Sequence, residues 1–248
     1  MTQATGKGLP VTAQENIDPG QNYVLSALPP PERERLFPAL EPIYLSLGSV
    51  LYEAGDRPPY IYFPTDCIVT LLNVLKDGSS TGIAAVGNEG VIGVALFTGG
   101  ETMTNRAVVQ SAGSAYRLSS ERLKQEFARH DALFHILLRY AQALITQMAQ
   151  TAVCNRHHSV VQQLCRWLLM SLDRQSSNEL TMTQGLIANI LGVRREGVTE
   201  AAHGLQNQQV IRYSRGRIAV LDRQRLEQLS CECYSVVKKE TDRLFGRI

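Results

Sequence analysis

Five side chains in one short stretch carry hydrogen-bonding chemistry at helical spacing: Arg194, Arg195, Glu196, Thr199 and Glu200. A guanidinium can donate two parallel hydrogen bonds to the acceptors on a guanine edge, and a carboxylate can accept from a cytosine amino group. A second pattern runs through the same stretch. Ile187, Leu191, Val193, Val198 and Ala201 are apolar and share one side, Ala188 is small where two helices would cross, and Gly192 stands between. A small contact residue, a glycine able to take a left-handed turn and an apolar inner seam are what a helix–turn–helix pair requires. Residues 184–203 are therefore predicted to be two short helices around a tight turn, with the polar cluster facing outward on the second.

The charge distribution suits that reading. Residues 1–152 carry 11 Lys/Arg against 14 Asp/Glu, whereas residues 153–248 carry 14 against 9. The positive excess lies with the helix pair, where a polyanion would be met. At 248 residues, 44% apolar and 19% charged, the chain has the composition of an ordinary globular protein and length for two domains. No apolar run approaches the ~20 residues a membrane span needs. The polar first twenty residues lack the apolar core of a signal peptide, so a cytoplasmic protein without a membrane partner is expected. Five scattered cysteines, an odd number, fit reduced thiols better than a disulfide framework.

Several elements must position the polar cluster. Beyond it, 210–213 and 217–221 read as two strands around Ser214-Arg215-Gly216, a hairpin or wing. Upstream, residues 1–22 are expected to form a loose arm, followed by a short helix opened by Pro29–Pro31. From 43 to 118, runs of three to five β-favouring residues alternate with Gly, Pro and Asp turns, which predicts an antiparallel barrel of some eight strands. Within Ser119-Ser120-Glu121 a serine cap is expected to lead into a helix over 122–129. A long helix from about 131 then carries Phe134, Leu137, Ala141, Leu144, Met148 and Thr151 at coiled-coil spacing, with Leu133, Ile136, Tyr140 and Ala143 on an adjacent face. Two apolar faces need two partners: the barrel for one and a twin helix of a homodimer for the other. Residues 154–158 are predicted to be a hinge, 159–172 a strongly amphipathic helix, 173–179 a polar linker and 223–245 a single closing helix. The domain plan is thus an arm at 1–22, a barrel sensor at 23–130, a dimerisation helix and hinge at 131–155, a winged helix–turn–helix at 156–226 and a C-terminal helix at 227–248. The fold class is α+β.

A barrel, a long helix and a winged helix–turn–helix in this order resemble the Crp/Fnr superfamily of bacterial transcription regulators. The resemblance covers residues 23–226 and is strongest over 180–221, LTMTQGLIANILGVRREGVTEAAHGLQNQQVIRYSRGRIAVL. It implies a recognition helix near 194–203 in the major groove, with Arg195-Glu196 at the family's base-reading pair. It also implies phosphate contacts from Thr183 and Gln184 and, on the wing, from Ser214, Arg215 and Arg217. Double-stranded DNA, a second copy of the chain and RNA polymerase are the implied partners. One position departs from the family: Glu200 stands where a further arginine often reads a base, so a different half-site is expected.

The barrel departs more. Cyclic-nucleotide-binding relatives carry a Gly-Glu pair for the ribose and an Arg-Ser or Arg-Thr pair for the cyclic phosphate, whereas here Val94 follows Gly93 and Thr102-Met103-Thr104 occupy the place of the second pair. Glu89, Thr102, Thr104 and Arg106 remain as candidates for a redesigned effector pocket. The expectation is an unknown small-molecule effector other than ordinary cyclic AMP, or no effector pocket at all. The clustered N-terminal cysteines of iron–sulfur relatives are missing before Cys67, and no cofactor is identified. Cys154 with His157 and His158, and Cys231 with Cys233, are metal-ligand types. However, two cysteines two apart on a helix point to different faces, so no metal site is expected. No catalytic constellation emerges, and the protein is expected not to be an enzyme. The alternative function is a ligand- or redox-sensing module whose winged helix mediates protein–protein contacts.

Overall fold

The computed structural model describes residues 18–175 and 177–246. Of the arm expected over 1–22, residues 1–17 lie outside the described residues, and residues 18–22 are not loose. Asp18 accepts from the Gly20 N–H to start a 3-10 turn, Pro19–Gln21. Asn22 is fully buried. Its amide donates to the carbonyls of Pro64 and Gly90 at 2.9 Å each, and its Oδ1 accepts from the N–H groups of Val24 and Leu25 in α1 (Tyr23–Ser26). One side chain thus caps a helix and holds the start of the described chain against the barrel. Helix α2 (Pro30–Leu36) begins on a proline, where the missing N–H has no partner to lose.

Seven strands follow, one fewer than the eight expected: β1 (Glu41–Leu45), β2 (Val50–Tyr52), β3 (Tyr60–Pro64), β4 (Ile68–Val74), β5 (Ser80–Val86), β6 (Arg106–Ser111) and β7 (Gly113–Ser119). They form two antiparallel sheets, ordered β1-β7-β3 and β2-β6-β4-β5, that close over one apolar core. β5 alternates buried and half-buried positions, as a one-sided strand must. β4 is buried at five consecutive residues because its outer face is covered too: Leu72 belongs to the second core, built from the C-terminal half.

Ser119 accepts from Arg122 N–H to cap α3 (Ser120–Phe127). The long helix α4 (Ala132–His157) has no cap from its own N-cap residue, Asp131. Instead the buried Glu32 accepts from the N–H groups of Ala132 and Leu133 at 2.9 and 3.0 Å, and places a carboxylate at the positive end of the helix dipole. The helix runs straight through 154–157, so the expected hinge shrinks to His158 and Ser159. There the backbone turns extended before α5 (Val160–Leu172) opens with a Ser159–Gln162 capping box.

The chain's own packing takes part of the expected dimer seam. Leu137 and Leu144 are buried against the chain's own barrel, together with Leu133, Ile136 and Tyr140, and Ala143 is buried too; Phe134, Ala141, Met148 and Thr151 are half-buried. The apolar residues left facing outward include Leu138, Ile145 and Val153, 43%, 60% and 46% exposed, with Ala149 and Ala152. Positions 138, 145 and 152 repeat every seven residues, so the free stripe is the expected one rotated by a single residue, about 100°.

α5 is not amphipathic in place: residues 163–172 are all buried, between the barrel and the second core. Nor is 173–179 a mere linker. Arg174 is buried and pairs with Glu89 of the barrel at 2.7 Å, while it donates to the Met170 carbonyl at 2.5 Å and to Gln147 Oε1 at 3.0 Å. A second polar chain ties the halves together: Thr70 Oγ1 donates to Gln110 Oε1, and Gln110 Nε2 donates to Ser171 Oγ.

The C-terminal module comprises β8 (Glu179–Thr181), α6 (Gln184–Leu191), α7 (Arg195–Asn207), β9 (Ile211–Ser214), β10 (Arg217–Val220) and α8 (Arg223–Leu229), with sheet order β8-β10-β9. Where one closing helix was expected, the chain breaks at Ser230 and Cys231 and resumes as α9 (Glu232–Leu244), packed along α4. α6 lies on β5 with no room to spare. A Cβ on Gly82 would stand 2.7 Å from the Ile190 carbonyl oxygen, and one on Gly192 would stand 2.9 Å from the Thr81 side chain. No helix among the described residues is long and apolar enough to cross a membrane.

Candidate nucleic-acid interface

Thr183 caps α6 by accepting from the Leu186 N–H, and the helix ends at Gly192 in the left-handed conformation, φ 67°. That turn lets the Val193 N–H reach the Ala188 carbonyl and sends the chain into α7. Val198, Ala201, Ala202 and Leu205 bury the inner face of α7 against α5 and α6, which leaves Arg195, Glu196, Thr199, Glu200 and His203 exposed. Arg194 is the N-cap and makes no capping bond. Ser, Asp or Asn would normally stand there, and two cations at a positive helix end oppose the dipole. The same arrangement, with free N–H groups beside guanidinium groups, favours a bound anion.

The wing is fastened to this helix. Gln206 Oε1 accepts from the Tyr213 N–H at 2.8 Å, and the Tyr213 hydroxyl donates to the Met182 carbonyl at 3.0 Å. Burial raises the pKa of that hydroxyl above its ordinary value, and the positive charge of Arg195 opposes the shift. Arg215 and Gly216 are both left-handed, φ 49° and 77°, the pairing of a type I′ hairpin. An arginine is strained in the place that asparagine favours. Thr183, Gln184, Gly185, Arg195, Tyr213, Ser214, Arg215 and Gly216 together line a cleft of about 450 Å³. Of the expected phosphate contacts, Thr183, Gln184, Ser214 and Arg215 thus meet in one place with the base-reading candidate Arg195. Arg217 lies on the other side of the wing with Arg212, which the sequence reading did not single out although its outward position in the strand alternation was visible. Thr199 Oγ1 donates to Gln184 Oε1 at 2.9 Å, so these two side chains brace α7 against α6 as well as facing outward. Among the described residues, Arg194, Arg195, Arg212, Arg215 and Arg217 form no ion pair.

Comparison with known proteins resolves the kind of module. Residues 162–229 match the Crp-like helix-turn-helix domain and residues 42–130 the cyclic nucleotide-binding domain, together more than half of the chain. The chain belongs to the Crp/Fnr family of transcription regulators. No curated protein matches the sequence. Among solved structures, FixK2 from Bradyrhizobium japonicum is 17% identical, covering 77% of this chain and 98% of its own, with a TM-score of 0.65. TTHB099, a CRP-family transcriptional regulator from Thermus thermophilus, is 17% identical, covering 75% and 95%, with a TM-score of 0.64. The c-di-GMP-responsive regulator CLP from Xanthomonas campestris is 16% identical, covering 75% and 96%, with a TM-score of 0.61. At such identities these likenesses establish the fold.

As a Crp/Fnr regulator the chain is a DNA-binding protein and not an enzyme. In the barrel, the expected effector residues are held within the chain or face water. Glu89 is held by Arg174 and accepts from the Gly87 N–H. Arg106 pairs with Glu53 at 2.7 Å, which raises the pKa of the guanidinium, and Thr102 and Thr104 are exposed on either side of a buried Met103. Each charge of the set is thus held by a nearer guanidinium or carboxylate of the chain itself, and the two threonines face water. Cys67 is buried in the barrel, and burial pushes its thiol up to about 12, the state of an inert packing residue. Contrary to the expectation of one helix over 223–245, Cys231 precedes α9 in extended conformation, so Cys231 and Cys233 are not constrained to opposite faces of a helix.

Proposed function

We propose that the protein acts as a homodimer that reads duplex DNA with α7 and grips the backbone with the wing. The observation that carries this is the cleft between α6, α7 and the wing, in which Arg195 and Arg215 face outward with no acidic partner among the described residues. Arg195 would donate to a guanine edge and Glu196 accept from a cytosine amino group, with Thr199 and Glu200 beside them setting the rest of the preference. Arg194, Thr183, Gln184, Ser214, Arg215, Arg217 and Arg212 would meet phosphates, giving register and salt-dependent affinity. The unpartnered stripe Leu138, Ile145, Ala149 and Ala152 on α4 supports a parallel pairing with a second copy, which sets two recognition helices about 34 Å apart. On the promoter such a dimer would meet RNA polymerase.

The barrel's signal on this reading is not ordinary cyclic AMP. Val94 stands where the ribose carboxylate would be, and Arg106, the nearest guanidinium, is already neutralised by Glu53. The test is footprinting on selected duplex fragments together with sedimentation of the full chain. Expected are two protected half-sites one helical turn apart and a dimer that Ile145→Glu converts to monomer, with loss of the paired footprint. Binding that is absent, or indifferent to salt between low and physiological concentration, would sink the proposal.

A further inference from the structure

Three cysteines and a histidine that take no part in the DNA interface converge at the α4–α5 break. Cys154 lies in the last turn of α4, His158 is the residue at which that helix ends, and Cys231 and Cys233 open α9. Their sulfur and imidazole nitrogen atoms all lie within 4.8 Å of one another. Cys154 Sγ is 3.6 Å from Cys231 Sγ, and Cys233 Sγ is 3.6 Å from His158 Nδ1. Zinc at about 2.3 Å from sulfur and about 2.0 Å from nitrogen defines a tetrahedron with edges of about 3.5–3.8 Å. We propose that Cys154, His158, Cys231 and Cys233 bind one thiophilic divalent cation, zinc, in a closed site that ties α9 to the end of α4.

Three independent features fit a metal centre better than plain packing. His158 turns its other ring nitrogen, Nε2, to Glu232 Oε2 at 3.3 Å, the carboxylate–histidine arrangement that orients a ligating imidazole. The three sulfurs form a buried cluster of their own, outside both apolar cores. Arg166 is a buried cation with no carboxylate partner among the described residues: it donates to Thr151 Oγ1 at 2.9 Å, its Nε is buried without an acceptor, and its charge acts on Cys154 and Cys233. A lone buried charge is costly. Three thiolates and a neutral imidazole around a dication carry one net negative charge, which supplies what Arg166 lacks. On coordination the three thiols give their protons to solvent. The sulfurs stand too close together to enclose an iron–sulfur cube, and with all four positions taken by side chains the site is structural in type.

The proposal does not depend on DNA binding, and neither does its test. Full-length, untagged protein, isolated anaerobically without chelator, is assayed for zinc, iron and acid-labile sulfide by elemental and colorimetric analysis. Expected are about one zinc per chain and, after exchange, the strong visible bands of tetrahedral thiolate-bound cobalt. Cys233→Ser abolishes both, whereas Cys67→Ala in the barrel keeps both. Should Cys233→Ser fail to fold, Glu232→Gln leaves all four ligands in place and is expected to weaken zinc affinity about 10–100-fold in competition with a chromophoric chelator. Iron with labile sulfide, a Cys154–Cys231 disulfide in the fresh protein, zinc content unchanged in a folded Cys233→Ser variant, or absence of bound zinc after incubation with the metal alone would each overturn the proposal.

Discussion

The barrel and the DNA-binding module use arginine in opposite ways. Every arginine from Arg35 to Arg129 reaches a carboxylate of its own chain within 3.4 Å. From Arg194 to Arg217 none does among the described residues, although Glu196 and Glu200 are close in sequence. A guanidinium satisfied internally is silent toward a polyanion, because binding would first have to break its pair. One left to water loses little by exchanging water and counterions for a phosphate. The difference separates charges that hold the fold from charges that wait for a partner.

Substitution can break that division at its strongest point first. Arg174 is the buried extreme of the paired class, with side chains 8% and 13% exposed in its pair with Glu89. Arg174→Met is expected to lower unfolding free energy by about 3–5 kcal/mol, since it strands a buried carboxylate. Adding Glu89→Gln should recover much of that loss in urea titration. A loss below about 1 kcal/mol would put Arg174 with the inert surface pairs. Next come the unpaired arginines. Arg195→Ala should weaken DNA binding by about 1–3 kcal/mol and relax preference at one base pair, whereas Arg215→Ala should weaken all sequences alike and reduce the salt slope by about one. Neither should move the unfolding midpoint, and equal effects of the two on sequence preference would erase the distinction between reading and gripping. Smallest is Arg57→Ala. Its pair with Glu101 is about three-quarters exposed, and a change of at most about 1 kcal/mol in stability and none in DNA affinity is expected.

Local spacing made the DNA-binding module legible. Gly192, Ala188 and Val198 fall within one motif, and two β-favouring runs flank Ser214-Arg215-Gly216, so the helices and wing could be placed without knowing the rest of the chain. What escaped was decided at long range. Whether Leu137 or Leu138 faces a partner depends on which side of α4 the barrel covers, and both have helical neighbours at suitable spacing. Arg174 sits in a polar run that reads as a linker, and its burial depends on Glu89, far earlier in the chain. The place of Cys231 was hidden because 223–245 has one continuous helical period, while the chain breaks at Ser230 and Cys231. The state of the effector candidates was hidden for a related reason: residue types can be counted in sequence, but Glu53 had to be placed in space before Arg106 could be seen as paired.

The seam of glycines between the two modules has a mechanical consequence. Gly82 on β5 and Gly192 after α6 leave less clearance than a single methyl group on either side. Parts that mesh without backlash transmit displacement in full. A shift of the β4–β5 hairpin toward α6 would meet the Ile190 backbone at Gly82, and the Thr81 side chain would meet Gly192, both next to the helix pair that carries Arg195.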